Sequence, residues 1–593
     1  MVMRRVFNHH VCLCVLSTAI LAGLALMASQ TKVYAQAQNC KGLTGDRNGD
    51  ASDKPIVCDG TDKGSGWRNG VGELSGKRNI DMSGHSGQAA VTITGPRTNI
   101  RISSELKVRD SRGSNNNPAI KVSDRGVLML VGDVSVEGVQ KGIEVSDSGS
   151  SVTVVQGKIG VRKAGGGSLI EVKNSGKVVL MEEVTVGTIS ESGEVVVINN
   201  GGDVMLMGTR FNNVKTGIVV KGGGNANVKG GATITVKQDG TGFKMQGAGT
   251  ADVMDMMITG NVGGGNRTGV VMEGQGGILT LNNVKLMQLE TGAKVTNGTL
   301  KMIGKSTINV AGSGTGVEVL SGKANVTNTA ITLQGDGGKG VKVNNGKVTM
   351  MGGSITGSGN GSTGTGVEME GSADVTLTSV NVLNVQKGIT KGGSGALTLN
   401  GTTKIQVVGG GTGMSVSGGK VTMEGGSITG NGGSGTGLVM SGNADVTLNG
   451  VNISEVQKGV EMGGSGVLKL DGTTKINVGQ NGTGMSVTGG NVVMTGTLRI
   501  TGSGTTGMSV SNGTVTMEGK TMITVGHNGT GMSVTDGTVM MNGGLTIKAS
   551  GMGTTGVQMS GGEVMLEKVN ISEFTTGITM TGGRSLKLDG GED

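Results

Sequence analysis

Several groups of residues in this chain have types and spacings that could do chemistry. Asp46, Asn48 and Asp50 alternate like the opening of a calcium loop, which supplies oxygen ligands at every second position. The pattern then breaks. Position six is Ala51 where such a loop needs Gly, and position twelve is Val57 where it needs Glu. These residues read as a polar turn. Asp147-Ser148-Gly149-Ser150 has the surroundings of a nucleophilic serine. A serine nucleophile needs a histidine base held by a carboxylate. Beyond residue 37 only His85 and His527 are available, and neither has a signature beside it. Glu368, Asp374 and Asp445 are acids of the kind that cleave polysaccharides in pairs. They return with the repeats described below, which marks a solvated face more than a unique centre. The 34 methionines invite a copper-binding idea, but most sit at alternating apolar positions and read as packing. No residue is therefore assigned to catalysis, to a cofactor or to a metal.

The elements that would position such residues are set by one phrase: Thr or Lys, then Gly, then an aliphatic residue or Met. It appears at Gly366, Gly388, Gly413, Gly437, Gly459 and Gly484, and runs on through Gly507, Gly531, Gly556 and Gly577. Backwards it reaches Gly340, Gly316, Gly292, Gly269, Gly242 and Gly217, and further glycines at 187, 160 and 142 keep the step at about 24 residues. A fixed period of this size means stacked units. Within one unit, 413–434, three short runs alternate apolar and polar: Met414 and Val416, Val421 and Met423, and Ile428 between Ser427 and Thr429. Alternation is the strand signal, and the Gly-rich pieces between the runs make corners. Three strands and three corners per turn predict an all-β fold: a right-handed parallel β-helix of about 19 or more coils, a rod of about 90 Å. A longer period lies on top. GVEMEGSADVTL (366–377) returns as GLVMSGNADVTL (437–448), and VQKGI (385–389) as VQKGV (456–460), both 71 residues later.

Composition narrows the function. The chain has 593 residues, 120 Gly, 3 Pro, 1 Trp, 1 Tyr and 4 Phe, with a formal net charge of +8. That charge is mild for the length and forms no basic run, so nucleic acid is not an expected partner. Sugar-cleaving β-helices commonly use aromatic platforms, which are scarce here. Outward positions such as Ser415, Thr422, Ser486 and Thr516 make hydroxyl ladders of the kind that can order ice. Coil lengths between about 21 and 30 residues are expected to spoil the flat array that this needs. Residues 1–37 have the form of a secretory signal: Arg4 and Arg5, an apolar run from Val11 to Ala28, and small residues around Ala35 and Ala37. Export leaves Cys40 and Cys58, an isolated pair expected to form one disulfide in an oxidising compartment. The closed loop would be worth about 3 kcal/mol. Residues 38–80, with Trp67, are expected to cap the stack, and 81–593 to form it.

The leader MRRVFNHHVCLCVLSTAILAGLALMASQTKVYAQ, the NCKGL and PIVCDG segments and the Gly-rich coils together resemble the N-terminal and passenger parts of bacterial autotransporters, which share the pectin-lyase-like parallel β-helix. The resemblance implies export, then surface display or secretion, with adhesion to host cells or matrix as a frequent role in virulence. It also implies a C-terminal outer-membrane translocator barrel. This chain stops at LKLDGGED (586–593), where the matching phrase at Leu468 runs on into TTKI. The expected reading is a passenger cut in mid-coil, with the barrel missing or supplied in trans; without a barrel the product would stay periplasmic. The primary expectation is an adhesin or structural display rod, not an enzyme. The alternatives are a carbohydrate-active β-helix enzyme, a polysaccharide lyase or hydrolase, and an inactive truncated fragment.

Overall fold

The computed structural model describes residues 40–41, 53–59, 71–74, 76–161, 168–188, 193–261, 265–358, 363–504 and 506–589. The leader, the Asp46–Asp50 turn and Trp67 lie outside the described residues. The chain is a parallel β-solenoid of about 21 turns, with 68% strand and 1% helix. At about 4.8 Å per turn the rod is about 100 Å long. Among the described residues no helix is long and apolar enough to cross a membrane.

Each turn has three faces. Face A follows the recurring glycine (412–416 in one coil), face B comes next (Lys420–Glu424) and face C last (Ser427–Thr429). Each pairs in parallel with the same face one turn on: Thr412 with Thr436, Lys420 with Asp445, Ser427 with Asn452. Alternation fixes which side chains point inward, and a one-residue slip would turn them all out. The inward columns are therefore continuous. Met485, Met508 and Met532 stack on face A beside Val487, Val510 and Val534; Val421, Val446 and Leu468 stack on face B; Ile428, Ile453 and Ile476 stack on face C. All are buried. Burial of such a side chain contributes about 2 kcal/mol, and only the coils above and below can supply it.

The repeated glycine has a steric cause. Gly413 is not at positive φ; it is a buried inward position at the C-to-A corner. A Cβ there would overlap the γ-methyl of Ile428 and the carbonyl of Gly437 in the next coil. Gly437 meets Ile453, and Gly459 meets Ile476, in the same way. The phrase that sets the period is thus the seat for the face C isoleucine column.

Two expectations meet a different arrangement. Parallel stacking begins inside the 38–80 segment, where Ile56–Cys58 pairs with Val91–Ile93. Only Cys40–Lys41 runs antiparallel, against Val57 and Cys58. Unequal coil lengths do not disturb the outward ladders. Thr349, Thr376, Thr398, Thr422 and Thr447 stay in register over five coils of face B. The extra residues fall in corners, where no ladder partner is required. Charges at Lys347, Asp374, Lys420 and Asp445 flank this column.

At the far end of the described residues the core opens. Val569, Ile571, Phe574, Ile578 and Leu586 are only partly buried, and Met580 and Leu588 are exposed.

Candidate functional site

The acids singled out from the sequence serve the scaffold. Asp374 Oδ1 accepts the backbone N–H of Ala396 at 3.0 Å, and Asp445 Oδ1 that of Val467 at 3.1 Å. The duplicated position does the same work twice, pinning the first residue of the next face B strand. Glu368 takes Lys339 at 2.7 Å and Lys342 at 3.5 Å. Along face A this extends an alternating column of Lys294, Glu318, Lys342 and Glu368. Ser148 lies in the corner after Lys141–Ser146, and Asp147 beside it has φ 76°. His85 Nε2 meets the backbone carbonyl of Asp53 at 2.9 Å. His527 belongs to a corner near the opposite end of the rod, beside Gly551. The structure does not bring Ser148 and a histidine together. Cys58 is disulfide-bonded, and the antiparallel ladder sets Cys40 directly across from it. Among the described residues no three His, Cys, Asp or Glu converge as a metal-ligand group.

What the sequence did not single out is the C-to-A corner. In five coils this corner turns on one residue in the left-handed region: Asn213, Gln288, Asn384, Glu455 and Glu573, with φ between 53° and 67°. Each is followed by an inward residue (Val214, Leu289, Val385, Val456, Phe574). The corners above and below are longer, glycine-rich loops such as 409–411, 430–435 and 479–482. A short corner between two long loops is a notch in the side of the rod.

One notch is filled. Arg267 is buried in the loop before Gln288–Glu290, and its Nε and Nη2 donate to Glu290 at 3.0 and 2.5 Å. The backbone N–H of Arg267 donates to the same carboxylate at 2.9 Å. Burial alone would raise the Glu290 pKa; the hydrogen bonds from Arg267 outweigh it and hold the carboxyl below its ordinary value. The Glu290 bond in turn raises Arg267.

The notch at Glu455–Gln457 has the same backbone. Lys458 donates its N–H to the carbonyl of Gly435, as Thr291 does to that of Arg267. Gly435 therefore stands where Arg267 does, and Gln457 where Glu290 does. With no guanidinium the notch is open. Gly433 and Gly479, from the loops on either side, meet above it, and a Cβ on Gly479 would fall 2.9 Å from the Gly433 Cα. Gly433 also donates its N–H to the Glu455 carbonyl at 3.2 Å, and Gln457 Nε2 reaches the carbonyls of Gln480 and Asn481 at 3.3 and 3.0 Å. The result is an arch over a cleft of about 450 Å³, lined by Gly432, Gly433, Glu455, Gln457, Asn477 and Gln480. Glu455 is exposed and has no ion pair among the described residues.

One inward position breaks the apolar rule. Lys391 is 1% exposed and sits between Met369 and Val416 in the face A column. Its Nζ donates to the carbonyls of Gly392 and Gly393 at 2.9 Å and Gly418 at 3.1 Å. Burial pushes its pKa below the ordinary lysine value.

The fold and these corners define a three-faced parallel β-solenoid with a notched side. No protein-family model, no curated protein and no solved structure matches the chain.

Proposed function

We propose that the protein is an exported, rod-like passenger that presents its side faces to other molecules, as an adhesin or display rod at the cell surface or outside the cell. The observation that carries this reading is how the coils use their residues. Strand side chains alternate between inward stacks and outward ladders, and both continue over many turns. A long, regular surface of hydroxyl and charged ladders is suited to contact over distance. The three acids singled out for a sugar-cleaving centre, Asp374, Asp445 and Glu368, are each tied to a strand start or a lysine. The leader and the paired cysteines support an oxidising destination outside the cytoplasm. The expected partners are components of a host cell surface or its matrix, with delivery through a translocator barrel.

The test is saturable binding of the purified protein to host cells and to isolated matrix proteins. Binding that saturates and is competed by the unlabelled protein supports the reading. Linear, uncompeted uptake on every surface tried removes it.

A further inference from the structure

We propose that the arched notch at Glu455–Gln457 is a binding site for a cationic side chain, an arginine or lysine presented by a partner polypeptide. The inference rests on the display reading above and names a place and a chemistry for it. The molecule contains its own precedent. In the equivalent notch the corner space holds the guanidinium of Arg267, gripped by a carboxylate. At 455–457 no cation comes from the chain: Gly435 replaces the arginine, with φ +95° and the Gly411 carbonyl where a Cβ would go, so no side chain of its own fits there. The carboxylate is still present, moved two residues back to Glu455. The rest of the lining has no cation and offers the backbone of Gly432 and Gly433 and the Gln457 carbonyl oxygen, while the Asn477 oxygen already accepts from Thr501 at 3.3 Å. The Gln457 amide nitrogen is already committed to Gln480 and Asn481, so its oxygen is the group left to accept. The glycine arch keeps the wall thin, and a single flexible cationic chain suits an opening this size. Charge-assisted hydrogen bonds to a carboxylate are the strong ones, and an arginine could make two at once.

The 71-residue duplication supplies a corner to compare. The twin corner carries Asn384 in place of Glu455, while Gln386 matches Gln457. The short left-handed corner is shared, while the next loop differs, with Gln406 and Val408 where the proposed site has Asn477 and Gly479.

The test uses the purified protein and three acetylated, amidated peptides, Gly-Gly-Xaa-Gly-Gly with Xaa as arginine, lysine or citrulline, followed by saturation-transfer NMR. The arginine and lysine peptides are expected to bind saturably and the citrulline peptide at least tenfold more weakly. Glu455→Gln is expected to weaken arginine binding at least tenfold, and Asn477→Arg, which offers Glu455 a guanidinium from the chain itself, to do the same. Glu424→Gln, an exposed acid on face B, is expected to change binding less than twofold. Both positions tested are exposed, and an unchanged thermal midpoint shows that the fold is intact. Equal binding by the citrulline peptide, or no loss in Glu455→Gln, overturns the proposal. If the protein adheres to cells and Glu455→Gln adheres equally, the site fails while the display reading stands. If the peptides bind through Glu455 and no cell or matrix binding exists, the display reading fails while the site stands.

Discussion

Two corners of this rod share a backbone and end in opposite states. At 261–290 the notch is closed by Arg267 and Glu290, a pair largely withdrawn from water and joined by two side-chain hydrogen bonds. At 430–480 two glycine loops arch over an open cleft with an unpaired Glu455. The difference teaches that the repeat fixes where a notch falls, and one or two side chains decide whether it becomes scaffold or surface. The comparison breaks most visibly at the buried pair. Glu290→Ala leaves a buried guanidinium without its partner and is expected to cost about 3 kcal/mol, whereas Glu455→Ala stays within about 0.5 kcal/mol. Hydrogen exchange at 261–268 and 288–291 reads the loss locally. Equal protection in the two variants would mean the closed notch is not stabilised by its ion pair. Acid sharpens the same contrast. The Glu290 carboxyl is held below its ordinary value in the fold. Its contribution is thus complete above the unfolded pKa of about 4.3 and is lost as pH falls through the folded one.

The next effect separates two glycines around the open notch. Gly459 is buried, and a Cβ there would overlap the γ-methyl of Ile476 and the Gly484 carbonyl. Gly432, in the arch, has open space around it and a φ of +74°. Gly459→Ala is expected to cost about 2 kcal/mol by overpacking, and Gly432→Ala about 1 kcal/mol by left-handed strain alone. Denaturant midpoints check the order. A cost at Gly432 as large as at Gly459 would show that the arch is structural and not a free rim.

The stack was legible in the sequence because burial leaves a period. Met414, Val416, Val421, Met423 and Ile428 alternate with polar residues, and the ladder pairs them as the alternation requires. The recurring glycine was legible as punctuation, but its cause was not, since the isoleucine that excludes a Cβ lies at the far end of the same coil and the clashing carbonyl in the next. The ladders survived unequal coils because pairing constrains strands and leaves corners free, which residue counts per turn do not reveal. The arch was invisible for a different reason. Gly433 and Gly479 are distant in sequence, and no pattern says that two glycine loops touch across a third corner. A signal for Glu455 did exist: lining up the 71-residue copies sets it against Asn384 just before the shared VQKG.

The same line-up exposes Lys391, which falls against Met462: GITKGGSG beside GVEMGGSG. Read alone, the lysine passes for an outward residue. In the fold it occupies the methionine's inward place and survives by donating to three backbone carbonyls at the A-to-B corners of two coils. Those bonds offset part of the cost of desolvating an ammonium, and no carboxylate lies within ion-pair distance of it among the described residues. Lys391→Met copies the twin and is expected to stabilise the rod by about 1 kcal/mol near neutral pH, less than the cost at Glu290 or at Gly459. The pH dependence gives the sign. Burial holds the folded pKa of Lys391 below its unfolded value of about 10.4, so across that window the unfolded chain binds the extra proton. Stability of the parent protein therefore rises with pH there, and the advantage of the methionine variant narrows. Unfolding midpoints of the two proteins at pH 7 and pH 10 decide it. A gap that stays constant would mean that Lys391 keeps its proton throughout and that the three carbonyls alone suffice to hold a charge inside the stack.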